Sequence, residues 1–154
     1  MTETTLAADP PAALHEGDFF AWTQEQAELL RSGRFLGLDA ANLADEVEDM
    51  GNRHKRAIES NLRILLIHLL KHARQPERRK GGWLASIREH RLRLRDAFED
   101  SPSLRRHARE RLPAIYADAR ALAADETALP IDGFPVGCPF SYDEILDTAF
   151  LPED

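Results

Sequence analysis

A single cysteine, Cys138, rules out a disulfide within the chain and leaves no thiolate set for a zinc cluster. That usage points to a reducing compartment. No apolar run reaches the roughly 18 residues that span a bilayer. The longest apolar block, ILLIHLL, is interrupted by His68 and ends at Lys71. The opening MTETTLAADPPAAL has no basic stretch ahead of an apolar core, so no secretory signal is expected. A cytoplasmic protein without membrane contact is the resulting expectation. Aromatics are few, at 7%, which a small helical domain built on Leu and Ala tolerates. Alternating strand patterns and internal repeats are absent. So are a nucleophile elbow, a Walker-type phosphate loop and the recognised nucleic-acid signatures.

What remains is a soluble, charge-rich composition. The 154 residues are 43% hydrophobic and 31% charged, which suits one globular domain. A chain of this size buries roughly 70% of the surface its unfolded form exposes, so no covalent staple is required. Residues 1 to about 14 lack periodicity and contain Pro10-Pro11, so they read as a flexible N-terminal tail. Residues 15–154 read as a single helical domain. The net charge of -7 is unevenly spread. From Arg53 to Arg95, 13 Lys and Arg stand against three acids, Glu59, Glu77 and Glu89, a local charge of +10. The remainder carries -17. Such a middle segment either matches the acidic ends within the chain or meets an external polyanion.

The apolar spacing is helical throughout. Asp18 is placed to cap a helix whose stripe is Phe19, Trp22, Gln26, Leu29 and Leu30, and Gly33 to end it. Asp39 or Asn42 caps the next, with Leu43, Val47 and Met50 on its apolar side. Gly51 either breaks this helix or sits inside one long helix over 40–74, since a single Gly costs about 1 kcal/mol. Ile58, Leu62, Leu65, Leu66, Leu69, Leu70 and Ala73 make a face wide enough for several neighbours, and Pro76 stops it. Trp83 opens a further helix to about Glu99, with Arg91 at the missing step of the Leu84, Ile87, Leu94, Phe98 stripe. Ser101-Pro102 reads as the start of the next helix, which Pro113 kinks or splits. The proline- and glycine-rich LPIDGFPVGCPF forms a strap held down by Phe134, Val136 and Phe140. SYDE then caps a short helix through Ala149. The fold class is all-α: a compact four- or five-helix bundle with a C-terminal loop or strap and a short last helix.

Several residues carry candidate chemistry. Glu46, Glu48, His68, His72 and Arg91 outline a polar pocket. Glu46, Glu48, His54, His68 and His72 offer oxygen and nitrogen ligands for a divalent metal, provided two helices bring them face to face. His68 and His72 are one turn apart, but HLLKH lacks the glutamate base of HExxH. His68, flanked by leucines, fits a core histidine with one hydrogen bond at least as well. Arg91 must reach solvent or a partner, for which Glu46 and Glu48 are candidates. Arg74, Arg78, Arg79, Lys80 and Arg88, near Trp83, form a candidate polyanion surface or a solvated helix connection. Cys138, between glycine and proline, has no neighbouring base and reads as a half-buried thiol.

Taken in order, DFFAWTQEQAELLRSGRF, LDAANLADEVEDMG, LRILLIHLLKHARQPER, WLASIREHRLRL and the CPFSYDEIL strap resemble domain-of-unknown-function family 29. This all-helical bacterial family is found often in cyanobacteria and proteobacteria. The resemblance covers roughly residues 17 to 152. It implies an all-helical fold and no established activity, substrate or cofactor, so no catalytic role carries over. The family pattern matches Asp18, Trp22, Glu46, Glu48, His68, Lys71, Trp83 and Arg91 here. Three function classes follow. The first is a protein-interaction or oligomerisation domain without catalysis or cofactor, working with a protein partner or by self-association. The others are a metal-assisted hydrolase or nuclease, and a nucleic-acid-binding protein acting through the basic 74–95 region.

Overall fold

The computed structural model describes residues 11–153. Within them it holds six α-helices and no strand. These are α1 (Pro11–Gly17), α2 (Phe19–Arg31), α3 (Ala40–Arg74), α4 (Gly81–Asp100), α5 (Leu104–Thr127) and α6 (Tyr142–Leu146). Single 3-10 turns lie at Phe35–Gly37, Pro76–Arg78 and Ile131–Gly133. The all-α expectation holds, with six helices rather than four or five; α1 and α6, of 7 and 5 residues, account for the extra pieces. Residues 1–10 of the expected tail lie outside the described residues. Its last part is helical, because α1 begins at Pro11, a residue suited to a first helical turn. Packing divides the chain into two compact units, Met1–Asn52 and Arg53–Asp154.

The first unit begins with local signals that behave as expected. Asp18 accepts a hydrogen bond from the Ala21 amide at 3.0 Å and caps α2. Gly33 adopts φ of +69°, the left-handed conformation that favours glycine after a helix. Asp39, not Asn42, takes the cap position before α3. It accepts from the Asn42 side chain at 2.8 Å, the Trp22 indole at 3.1 Å and, more weakly, the Asn42 amide at 3.4 Å. Gln26 completes this knot, its carbonyl oxygen accepting from the Asp39 amide at 2.8 Å. Trp22 and Gln26 are buried; Phe19 and Leu30, from the same predicted stripe, are exposed.

The second unit holds the large core. Ile58, Leu62, Leu65, Leu66, Leu69 and Leu70 of α3 are buried with Ile87, Leu94 and Phe98 of α4 and Ala108, Ile115 and Ala119 of α5. Each large side chain of this kind contributes about 1.5–3 kcal/mol when fully buried. The width of the α3 face is thus explained by two helices and the strap covering it. Ser101 closes α4 rather than opening α5: its amide bonds to the Ala97 carbonyl at 2.9 Å. Its own carbonyl accepts from Leu104, so α5 starts two residues later than the Ser-Pro pair suggests. Pro113 leaves α5 unbroken. It lies on the exposed side of the helix, and its missing N–H costs α5 one backbone donor there. In the strap, Phe134 and Phe140 are buried as expected, but Val136 is 83% exposed and holds nothing down. Ser141 and Glu144 form the reciprocal capping box. The helix stops at Leu146, not Ala149, because Asp147 Oδ1 takes the Ala149 amide at 2.8 Å in a side-chain turn.

Gly51 does not interrupt α3, which runs 35 residues through it. A Cβ at Gly51 would meet no atom within 4 Å. Glycine inside a helix costs roughly 0.5–1 kcal/mol relative to alanine. Gly51→Ala is therefore expected to stabilise the protein by about that amount, read from urea denaturation followed by circular dichroism.

Candidate functional site

The metal set read from the sequence required two facing helices. One helix, α3, carries Glu46, Glu48, His54, His68 and His72. In the first unit, Glu46 accepts a hydrogen bond from His15 Nε2 at 2.9 Å, and Glu48 is exposed. The His15 ring also meets Trp22 edge-on at 4.6 Å. In the second unit, His54 is exposed and stands 14 positions before His68 on the same helix. At 1.5 Å per residue that is about 21 Å along the axis, far beyond the reach of one shared ion. His72 is buried and donates from Nδ1 to the Pro152 carbonyl at 3.1 Å. Among the described residues, no three His, Cys, Asp or Glu side chains make a group fit to hold a metal.

Arg91 does not pair with Glu46 or Glu48. Its partners are backbone carbonyls of the strap: Nε donates to Ile145 at 2.8 Å, Nη1 to Phe150 at 2.9 Å and Nη2 to Glu144 at 3.2 Å. Two of these carbonyls belong to the last turn of α6, where helix geometry leaves acceptors unsatisfied and the dipole favours a cation. Only 4% of Arg91 is exposed, and burial lowers its pKa, an effect that the Asp147 charge opposes. Other helices hold the strap in the same way. Tyr116 donates to the Pro135 carbonyl at 2.6 Å, and Arg120 to those of Phe134 at 3.0 Å and Ile131 at 3.1 Å. His72 and Arg91, two members of the predicted polar pocket, are thus both strap anchors.

The polar side chains that do come together surround His68. Lys71, three positions on, donates to Glu126 of α5 at 3.0 Å and sits 5.0 Å from the centre of the Trp83 ring. His90 of α4 donates from Nδ1 to Asn61 at 2.8 Å. The His68 pKa is lowered first by burial, then by the positive charge of Lys71 and by His90, against a raising contribution from Glu126. Its Nδ1 is buried with no hydrogen-bond partner. Burial and the neighbouring lysine charge both favour the neutral form of half-buried His68. Lys71 itself is already committed to Glu126 and Trp83.

The basic stretch is largely a helix connection. Arg79 Nε donates to the His72 carbonyl at 2.9 Å, closing the C-terminus of α3, and Lys80 is the residue before α4. Arg74, Arg78, Lys80 and Arg88 are exposed. Matching of the basic middle with the acidic ends is visible in Lys71–Glu126, whereas Glu59, an acid of the middle, runs the other way and takes His107 at 2.9 Å and Arg111 at 3.1 Å. Cys138 is half-buried; burial raises its pKa, and its thiol donates to the Phe140 carbonyl. Sequence reasoning assigns no role to His15, Asn61, His90, Tyr116, Arg120 or Glu126. Nothing in their local spacing marks them, because each acts through a partner distant in sequence.

These features define a class: an all-helical protein whose buried polar side chains anchor an irregular C-terminal strap, with a half-buried histidine–lysine cluster on its core helix. The chain matches the domain of unknown function DUF29 over residues 14–151 and belongs to that family. No curated protein and no solved structure matches it.

Two outcomes test these placements. Replacing Arg91 by Met leaves three strap carbonyls without their donor and is expected to cost about 3 kcal/mol. Amide exchange should rise first in α6. For His68, the folded pKa lies below the unfolded value of 6.5. As pH falls below 6.5 the unfolded chain takes the proton first, so stability present above that pH is lost through the folded pKa. His68→Leu should therefore lose less stability than wild type between about pH 7 and 5, read from denaturation at each pH.

Proposed function

We propose that the protein is a protein-interaction domain whose first unit receives a basic, amphipathic helix from a partner protein. The observation that carries this is an uncovered apolar face. Of residues 13–52 only Trp22 and Gln26 are buried. Val47 is 65% and Met50 59% exposed, so this part of the apolar side of α3 ahead of Gly51 has no cover, while Leu43 is half-buried. Phe20, at 73%, together with Phe35 and Leu36, adds to the exposed apolar surface of the same unit. Exposed apolar surface on this scale supports a protein contact.

Charge selects the partner. Residues 11–52 hold nine acids and two bases, a net charge of -7. Asp45, Glu46, Glu48 and Asp49 flank Val47 on α3. Two copies meeting through this face would oppose like charges, and a polyanion would be repelled. A cationic helix with an apolar stripe satisfies both parts of the surface. The metal-assisted and nucleic-acid readings gain no comparable observation. Among the described residues no helix is long and apolar enough to cross a membrane. We assign the domain to the bacterial cytoplasm on its lone cysteine and the family resemblance.

Fluorescence anisotropy with a labelled Leu/Lys amphipathic helix tests the proposal, a Leu/Glu peptide of equal apolar content serving as control. The Leu/Lys peptide should bind, weaken as salt rises, and lose about tenfold in affinity with Val47→Asn/Met50→Gln. Equal binding of the Leu/Glu peptide, or none of either, overturns it. A concentration-dependent dimer abolished by the same double variant would assign the face to a second copy instead.

A further inference from the structure

The second unit contains a cavity beside the strap anchor Arg91. It lies between α4 and the C-terminal end of the strap and has a volume of about 440 Å³. That is within the usual range for small-molecule sites, roughly 300–1,000 Å³. Leu84, Ile87 and Leu151 give it apolar walls, and Arg88, Arg91 and Thr148 supply the polar groups. Leu84 and Leu151 are also exposed large apolar residues of this unit.

The decisive residue is Arg91. A guanidinium carries five N–H donors and a full charge at every physiological pH. Three donors are used by the carbonyls of Glu144, Ile145 and Phe150. Among the described residues it forms no ion pair, so its charge is met by carbonyl dipoles and by the more distant Asp147. Two donors remain on a buried cation that lines a cavity. Arg88 adds a second, exposed guanidinium one turn before it.

From this we infer that the cavity binds a medium-chain aliphatic carboxylate, its head group on Arg88 and Arg91 and its chain along Leu84, Ile87 and Leu151. A carboxylate supplies Arg91 with the anionic partner that it lacks among the described residues, and its planar oxygens match the guanidinium fork. The Thr148 hydroxyl offers a further donor. The apolar walls exclude a small, fully hydrated anion as the best ligand. Among the described residues no aromatic ring lines the cavity to stack a nucleotide base. Two guanidiniums exclude a cation. The site lies wholly in the second unit and does not rest on the interaction reading.

Sodium octanoate is the probe, titrated into the full chain and followed by calorimetry and by amide shifts of α4 and the strap. Octylammonium and octanol are the controls. Octanoate should bind one to one, and the controls at least about tenfold more weakly. Arg88→Ala removes an exposed side chain, so the fold should survive while octanoate affinity drops about tenfold. Leu84→Trp, also at an exposed position, should fill the cavity and abolish binding with an unchanged melting temperature. The inference is overturned by the absence of saturable octanoate binding. It also fails if octanol or octylammonium binds equally well, or if binding is indifferent to both variants.

Discussion

An irregular stretch of backbone cannot be laid over an apolar core unless its carbonyls find donors. The C-terminal strap, from Leu129 to Pro152, poses that problem, and helix side chains solve it. Arg91 takes three carbonyls, Arg120 two, and Tyr116 and His72 one each. Phe134, Phe140 and Ile145 can then be buried in the core with α3, α4 and α5 while these seven bonds satisfy strap carbonyls. Arg91 is central because one rigid fork holds both the end of α6 and the turn after it. This also explains how a guanidinium can occupy a core position with no carboxylate as partner. Its charge faces the negative end of a short helix.

The two units are built on different principles. The second buries a continuous cluster of leucines, isoleucines and aromatics. The first relies on a polar knot, Trp22–Asp39–Gln26, and on local caps, while Phe20, Phe35, Leu36, Val47 and Met50 stay at the surface. Such a distribution makes functional sense when the apolar surface is completed by another molecule. The acidic side chains around it narrow the kind of molecule that can do so. The acidic, apolar surface thus lies on one unit and the buried core on the other.

The oddities in the sequence were legible, but their meanings were not. Arg91 stands out from its stripe by spacing alone, yet a carboxylate is the natural partner to expect. Its carbonyl partners lie more than 50 positions away, and backbone acceptors leave no trace in side-chain chemistry. His68 and His72 look equivalent one turn apart. Helical rotation sends His72 to Pro152 and leaves His68 beside Lys71, Glu126 and His90. Leu43, Val47 and Met50 form an apolar side by their spacing, but periodicity says only that a face is apolar, not that anything covers it. Val136 shows the same limit within the strap.

Local physics was within the reach of the sequence by itself. The all-α class, the Asp18 cap, the left-handed Gly33, the stop at Pro76 and the Ser141–Glu144 box each depend on neighbours within about one helical turn. The broad apolar face of α3 announced a central helix for the same reason, since 3.6-residue spacing is written directly in the residue order. Tertiary structure alone decided the continuity of α3 through Gly51, where the cost of one glycine was too small to settle the matter. It also decided which donors meet the strap, where the cavity beside α4 opens, and which apolar face stays bare. These depend on chain segments tens of residues apart meeting in space, and the order of residues along the chain does not carry that information locally.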